Sequence, residues 1–572
     1  MWSLVALVCL VTRAWGVSPV VETSFGPVEG FEYGLQNGET ANVYLGIPYA
    51  KAPVGELRFE RPEIVEKWTD VKQAKKFGAA CHPHHAAMKF MEPKGTEFSE
   101  DCLFLNVMTP AKKSSDPNGY PVLIFIHGGA FQFGSTGFFG YKNVSENFVS
   151  QGVVFVTLSY RLTALGFFST GDSAALGNIG LWDQAMALRF IHKTISQFGG
   201  DPGRITISGE SAGGASVSAL TYSPHSNRLF QQVIAISGSL YGTWATNPDV
   251  IEESLKLASA IGCEGASKEI FKCIKTKSVE EIQNGIEKIG VARDYIIGIT
   301  FNPRLDGDFF PGDFKSMLEN SPKIPALLGV TDTEGGFMTM NQNMLSSVPA
   351  SKWPTYCADD VRKFIVEKVI GDYYGEEGDE LKEKMMRHYA EKSKEDGSEM
   401  TATNYLERLS LIFSDVFFNV ATYQEALDKI ANDIPVYLFI ENYHNPAPLE
   451  GVPVKGAFHL NEYPYLFGVD GIGRKVELNE EDREFQKNLL DGIISFVKTG
   501  TPVVAGKPWE PITAQNPDRY MNFAPKSEMR KGFMKESVDF WVKDMCKNMD
   551  IDVIKKKLFP AAQKPREHHS EL

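Results

Sequence analysis

The sequence predicts an α/β fold: a mostly parallel central sheet, helices on both faces, and large helical insertions. Three observations predict it. Residues 121–126 (PVLIFI) and 153–160 (VVFVTLSY) are near-continuous apolar runs, as strands buried on both faces should be. Segments of helical period separate such runs, and strands alternating with helices give a parallel sheet. Residues 198–214 (FGGDPGRITISGESAGG) read as a strand, a sharp turn and a helix that starts on small residues.

The elements follow in order. The first 16 residues carry a short apolar core and end in Ala14-Trp15-Gly16, so residues 1–16 are expected to be a signal peptide cut after Gly16. No Lys or Arg precedes that core and Arg13 falls near the cut, which leaves a buried N-terminal strand as the alternative. Residues 17–550 read as one domain, because no linker divides them, and 551–572 as a polar tail. Residues 18–60 are short strands and turns. Residues 180–197 are helical, with Leu181, Ala185, Leu188 and Ile195 largely on one face. After residue 225 the pattern turns irregular and helical until the strand at 326–330. Residues 355–430 are mainly amphipathic helices with dense surface charge. A strand at 435–440 follows, then a long helix at 480–499 with Phe485, Leu489, Ile493 and Phe496 near one face.

Composition narrows the function. The chain has 572 residues, 43% hydrophobic and 23% charged, typical of a soluble globular protein. A net charge of −14 argues against nucleic acid or an anionic membrane as the main partner. No apolar run after the first is long enough to span a bilayer, and the polar C-terminus has no glycolipid-anchor tail. Seven cysteines fit an oxidising compartment, and Cys9 would leave with the signal peptide. Without a C-x-x-C pair, a structural zinc is not expected. His82, His84 and His85 are read as solvated loop residues, so no metal site is expected there. Asn143-Val-Ser145 is the one N-glycosylation sequon.

Gly209-Glu-Ser-Ala-Gly213 is a G-x-S-x-G nucleophile elbow, with Ser211 at the tip. The bland alternative is a glycine-rich turn; the β-branched strand before the motif and Ala212, Gly213, Gly214 and Ala215 after it favour the elbow. The strand at 121–126 runs into His127-Gly-Gly-Ala-Phe131, whose glycines free backbone amides for an oxyanion. A serine nucleophile needs a positioned base. His225, His388, His444 and His459 follow Ser211 before the tail. His225 is too close in sequence and His388 lies in a charged helix. His444 and His459 both follow the strand ending at Ile440, and position favours His459, set among small and apolar residues. Glu334 and Asp332 follow a strand and compete as the acid, with Asp306 in a turn as a third candidate.

A resemblance decides among these. Residues 100–106 (EDCLFLN) and the block FGGDPGRITISGESAG resemble two signatures of the type-B carboxylesterase and cholinesterase family of α/β-hydrolases, across about residues 18 to 545. Similarity at TDTEGG and GAFHLNEYPYLFG implies that Glu334 is the acid and His459 the base. The same resemblance implies Gly129, Ala130 and Ala212 as oxyanion-hole donors, and disulfides Cys81–Cys102 and Cys263–Cys273. There are two departures. Ala130 stands where many members have a third glycine, and the cholinesterases' third disulfide has no counterpart, leaving Cys357 and Cys546 unassigned.

The implied function is a serine carboxylesterase that hydrolyses neutral esters through an acyl-enzyme, with no cofactor and no metal. A lipase acting on aggregated lipid and a cholinesterase are the alternatives. A non-catalytic adhesion protein is disfavoured by the complete triad. Cholinesterases bind a quaternary ammonium with a tryptophan in the first disulfide loop. Aligning Met91-Glu-Pro93 puts Met91 near that position, and a thioether offers no comparable π face. The chain ends His569-Ser-Glu-Leu572, which resembles the KDEL-type address that a retrieval receptor reads. The expected location is therefore the endoplasmic reticulum lumen, with secretion as the alternative.

Overall fold

The computed structural model describes residues 18–545, apart from residues 84–91, 94, 243, 291–298, 345, 371–376, 393 and 395. The expected signal peptide, the tail, His84, His85, Met91 and Cys546 lie outside the described residues.

An eleven-stranded sheet forms the centre. Its strands are β1 (Phe31–Gly34), β2 (Thr40–Pro48), β3 (Phe104–Pro110), β4 (Tyr120–Ile126), β5 (Val154–Leu158), β6 (Gly200–Glu210), β7 (Gln232–Ile236), β8 (Ala326–Thr331), β9 (Val436–Glu441), β10 (Arg519–Phe523) and β11 (Glu528–Lys531). The spatial order is β11-β10-β9-β8-β7-β6-β4-β5-β3-β2-β1. From β5 to β10 every neighbouring pair is parallel; the outer strands on both flanks pair antiparallel. Strand β7 is a correction to the sequence reading, which passed through residues 232–236 as irregular. Its five residues lie between β6 and β8 and close the parallel block.

Alternation along each strand fills two cores. On one face Val122, Ile124 and Ile126 of β4 join Val154, Val156 and Leu158 of β5. On the other, Leu123 and Phe125 join Phe155 and Phe439. Helix α1 (Ile179–Thr194) and helix α2 (Ala212–Tyr222) cover the first face. Arg161, just past β5, ties the sheet to α1: its guanidinium pairs with Asp183 at 2.7 and 2.8 Å, both side chains buried. Losing one partner of such a pair costs about 3–5 kcal/mol, because the other charge stays buried.

The insertion carries helices α3 (Ala402–Ser414) and α4 (Val420–Ala431), joined by a wide helical turn at Asp415–Asn419. A third apolar cluster belongs to this region, with Val361, Ile365, Tyr389, Leu406 and Ile412 meeting Phe540 and Trp541 from the far end of the chain. Helix α5 (Glu480–Thr499) lies on the second sheet face. Asn479 caps it, accepting from Asp482 N at 2.9 Å while the Asp482 carboxylate accepts from Asn479 N at 2.8 Å. Gly500, at φ +74°, ends it. Phe485, Leu489, Ile493 and Phe496 are buried, as their spacing predicts.

Among the described residues the disulfides are Cys81–Cys102 and Cys263–Cys273, and Cys357 forms none and is exposed.

Candidate active site

Strand β6 delivers Ser211 and α2 begins at the next residue. Ser211 has φ +56° and ψ −123°, a conformation that costs a non-glycine residue of order 1–3 kcal/mol. Hydrogen bonds on both sides hold it: Ser211 N donates to Ile236 O at 2.9 Å and Ala215 N donates to Ser211 O at 2.9 Å. Strand and helix approach so closely that only glycine fits beside it. A methyl group on Gly213 would lie 2.0 Å from Ile126 O.

His459 sits in the loop after β9, 5% exposed. Its Nδ1 donates to Glu334 Oε2 at 2.7 Å. Glu334 follows β8 and is fully buried; its other oxygen accepts from Ser237 Oγ at 2.5 Å and Thr331 N at 2.7 Å. Neither other acid candidate does this. Asp332 accepts from Ala457 N at 2.7 Å and steadies the base loop, and Asp306 accepts from Phe310 N in its own turn. The wide turn at Asp415–Asn419 sets Phe418 against the imidazole, stacked at 4.5 Å. His444 and His225 sit apart, and the His388 ring stacks on Phe540 in the insertion.

Ser211 and His459 line one cavity of about 120 Å³, together with Gly129, Ala130, Phe138 and Phe337. Among the described residues no hydrogen bond joins Ser211 Oγ to His459; such contacts commonly tighten only when substrate is bound. Gly129 and Ala130 have φ of +105° and +54°, and Gln132 N and Phe133 N both donate to Gly129 O. Among the described residues the Gly129 and Ala130 amides donate no hydrogen bond, and the first amide of α2, on Ala212, has no partner within its helix. Gly129 and Ala130 line the cavity with Ser211, and Ala212 follows the serine at the start of α2.

Sequence reasoning did not single out the buried carboxyls nearby. Glu210 Oε1 lies 3.1 Å from His459 Nε2, without hydrogen-bond alignment, and Tyr463 Oη donates to Glu210 Oε2 at 3.0 Å. Burial pushes Glu210 up to about 8. Burial also pushes Glu441 up to about 8, with Asn461 Nδ2 donating to it at 2.8 Å, and holds Glu462 well above the carboxylate range. Burial lowers the His459 imidazole, but the Glu210 and Glu334 carboxylates outweigh it and leave the group above its ordinary value. Glu92 is a further acid in the cavity wall. It accepts from Ser135 Oγ, and burial raises it. An acid as the x of G-x-S-x-G, at the end of a buried strand, was the available signal for Glu210.

A parallel sheet with a strained serine at a strand-to-helix turn, and a buried histidine–carboxylate pair on the same cavity, defines a hydrolase of the α/β class. The chain belongs to the carboxylesterase family, whose profile matches residues 17–541, and it is therefore a carboxylic ester hydrolase acting on small-molecule esters. It is 36% identical to gut esterase 1 of Caenorhabditis briggsae over 93% of this chain and 94% of that one. It is 30% identical to acylcarnitine hydrolase of Mus musculus, over 92% and 91%. It is also 30% identical to neuroligin-2 of Homo sapiens, over 92% of this chain and 67% of that one.

Proposed function

We propose that this chain is a serine esterase that cleaves short, uncharged esters through an acyl-enzyme. The observation that carries it is the strained Ser211 sharing a small apolar cavity with His459, which Glu334 holds at 2.7 Å. His459 takes the proton as Ser211 attacks the carbonyl carbon. The Gly129, Ala130 and Ala212 amides receive the negative oxygen. Glu334 fixes the tautomer and stabilises the imidazolium. His459 then protonates the leaving alcohol, and water activated by His459 releases the acid. These steps need no cofactor. The test is labelling by a fluorophosphonate, mapped to Ser211, beside hydrolysis of a panel of esters. A chain that hydrolyses the panel without labelling overturns the serine mechanism. A chain that does neither favours the non-catalytic adhesion reading.

Choline esters form the second reading, because the Glu92 carboxyl lines the cavity. Against it, no tryptophan lines the cavity among the described residues. A kcat/KM for acetylthiocholine above that of an uncharged thioester of matched size overturns the neutral-ester reading.

We place the enzyme in the endoplasmic reticulum lumen, held by a retrieval receptor through His569–Leu572. The two disulfides support an oxidising compartment. Asn143, exposed at the start of a short helix, is the proposed glycosylation site. Deleting residues 569–572 is expected to move the enzyme into the medium; quantitative secretion of the full chain overturns retention.

A further inference from the structure

A second cavity, of about 360 Å³ and called the rear one, adjoins the front one that holds Ser211. The two share Phe337, His459, Leu460 and Gly471 in their linings, so these residues form a common wall. Leu460 is the unusual member of that wall. Its φ is +74°, in the left-handed region that glycine enters freely and a branched side chain enters only under strain. Hydrogen bonds hold the backbone there, from His459 N to Glu334 O at 3.4 Å and from Tyr463 N to Leu460 O at 3.2 Å. Opposite it, a methyl group on Gly471 would lie 2.6 Å from Leu460 Cδ1, so the facing position is kept clear for the leucine. A side chain maintained against its own backbone preference, with room made for it across the wall, points to a function for that side chain.

The cavities say what that function is. The front one is well below the roughly 300–1,000 Å³ of sites that enclose a large ligand, whereas the two joined fall inside that range. The rear one is lined by Met340, Leu449, Val452 and Ile472, with uncharged polar groups that include Asn341, Gln342, His444 and Asn445. Its charged pair cancels internally, Arg474 Nε donating to Asp470 Oδ2 at 2.7 Å. It therefore suits an uncharged chain.

We infer that Leu460 sets the size of substrate this enzyme accepts: it confines esters to the front cavity and shuts off rear space that would hold a longer uncharged chain. The inference rests on the serine-esterase reading above. The experiment compares p-nitrophenyl acetate with p-nitrophenyl decanoate, below its micelle concentration, for wild type, Leu460→Gly and Leu460→Ala. The ratio of kcat/KM for decanoate over acetate is expected to rise about tenfold or more in Leu460→Gly, and part of the way in Leu460→Ala. Adding Leu449→Trp, which fills the rear cavity, should return the ratio toward wild type; Leu449→Trp alone should leave both rates unchanged. An unchanged ratio in both Leu460 variants overturns the inference, as does a gain that survives Leu449→Trp. If Leu460→Gly fails to fold, the Leu460→Ala ratio decides. A wild type that hydrolyses neither ester and takes no fluorophosphonate overturns the esterase reading instead.

Discussion

The elbow that presents Ser211 is held by main chain on every side: a strand hydrogen bond from Ser211 N, a helix hydrogen bond to Ser211 O, and Gly213 against Ile126 O. In the loop that presents His459, carboxylates and side-chain amides add to the main-chain hydrogen bonds. Asp332 accepts from Ala457 N, Glu334 accepts from His459 Nδ1, and Asn461 Nδ2 donates to Glu441 and to Tyr443 O. Both turns contain a strained non-glycine residue, Ser211 in one and Leu460 in the other. A site built of backbone contacts tolerates no added atom, while one built of side-chain contacts can be retuned residue by residue. The nucleophile is thus fixed by geometry and the base by electrostatics.

Four measurements break or sharpen that contrast. The largest effect is loss of the chemistry itself. Ser211→Ala is expected to lower kcat by about 10⁶ and Glu334→Gln by about 10⁴, both with unchanged circular dichroism. A Ser211→Ala enzyme within tenfold of wild type would falsify the assignment of the nucleophile.

Next in size is the elbow's intolerance. Gly213→Ala places a methyl group 2.0 Å from Ile126 O and should destabilise the fold by about 1–3 kcal/mol in urea unfolding, with kcat falling alongside. An unchanged midpoint and rate would show that the main-chain contact is not what sets the turn.

The third measurement addresses the base loop through pH. The fold holds Glu210 at about 8 against 4.5, so it favours the protonated carboxyl. That contribution to stability is fully present below pH 4.5 and is lost as pH rises toward about 8. Glu210→Gln should therefore flatten the fall of Tm over that interval. An unchanged slope of Tm against pH over that interval would show that the fold does not hold Glu210 in its protonated form.

The smallest effect is expected for Leu460→Gly on stability. Relief of the left-handed strain offsets the lost side-chain contacts, and Tm should move by less than about 2 °C. A fall as large as that of Gly213→Ala would mean that the base loop is as rigidly packed as the elbow.

Much of this was readable before folding, and the unreadable parts have physical reasons. Strands β4, β5, β8 and β9 announce themselves because both faces are buried and their apolar runs are unbroken. Helix α5 announces itself because one face meets a core, the other meets water, and a cap and a glycine mark its ends. Strand β7 is as short as β5 and carries the same kind of signal, since Val233-Ile-Ala-Ile236 is an unbroken buried apolar run. Strand β11, Glu-Met-Arg-Lys, sits at the sheet edge with little burial and so has no apolar signal. Ser211 was visible because its elbow is a continuous stretch of sequence. Glu334 and His459 lie 125 residues apart, so residue type and position alone left competitors, and family resemblance chose between them. The left-handed Leu460 left no local trace, because the loop's tertiary partners impose that conformation.

The third apolar cluster has a consequence for synthesis on the ribosome. Val361, Tyr389 and Leu406 wait for Phe540 and Trp541, and Trp541 Nε1 reaches Tyr389 Oη at 2.7 Å only after residue 541 has left the ribosome. Strands β1 to β7 emerge far earlier and can pair as they appear. We therefore expect the insertion to be the last part of the nascent chain to resist protease. Ribosome-bound chains stopped at residue 535 should yield a protected sheet and a cleavable 355–430 segment, and equal protection of both would refute this order of assembly.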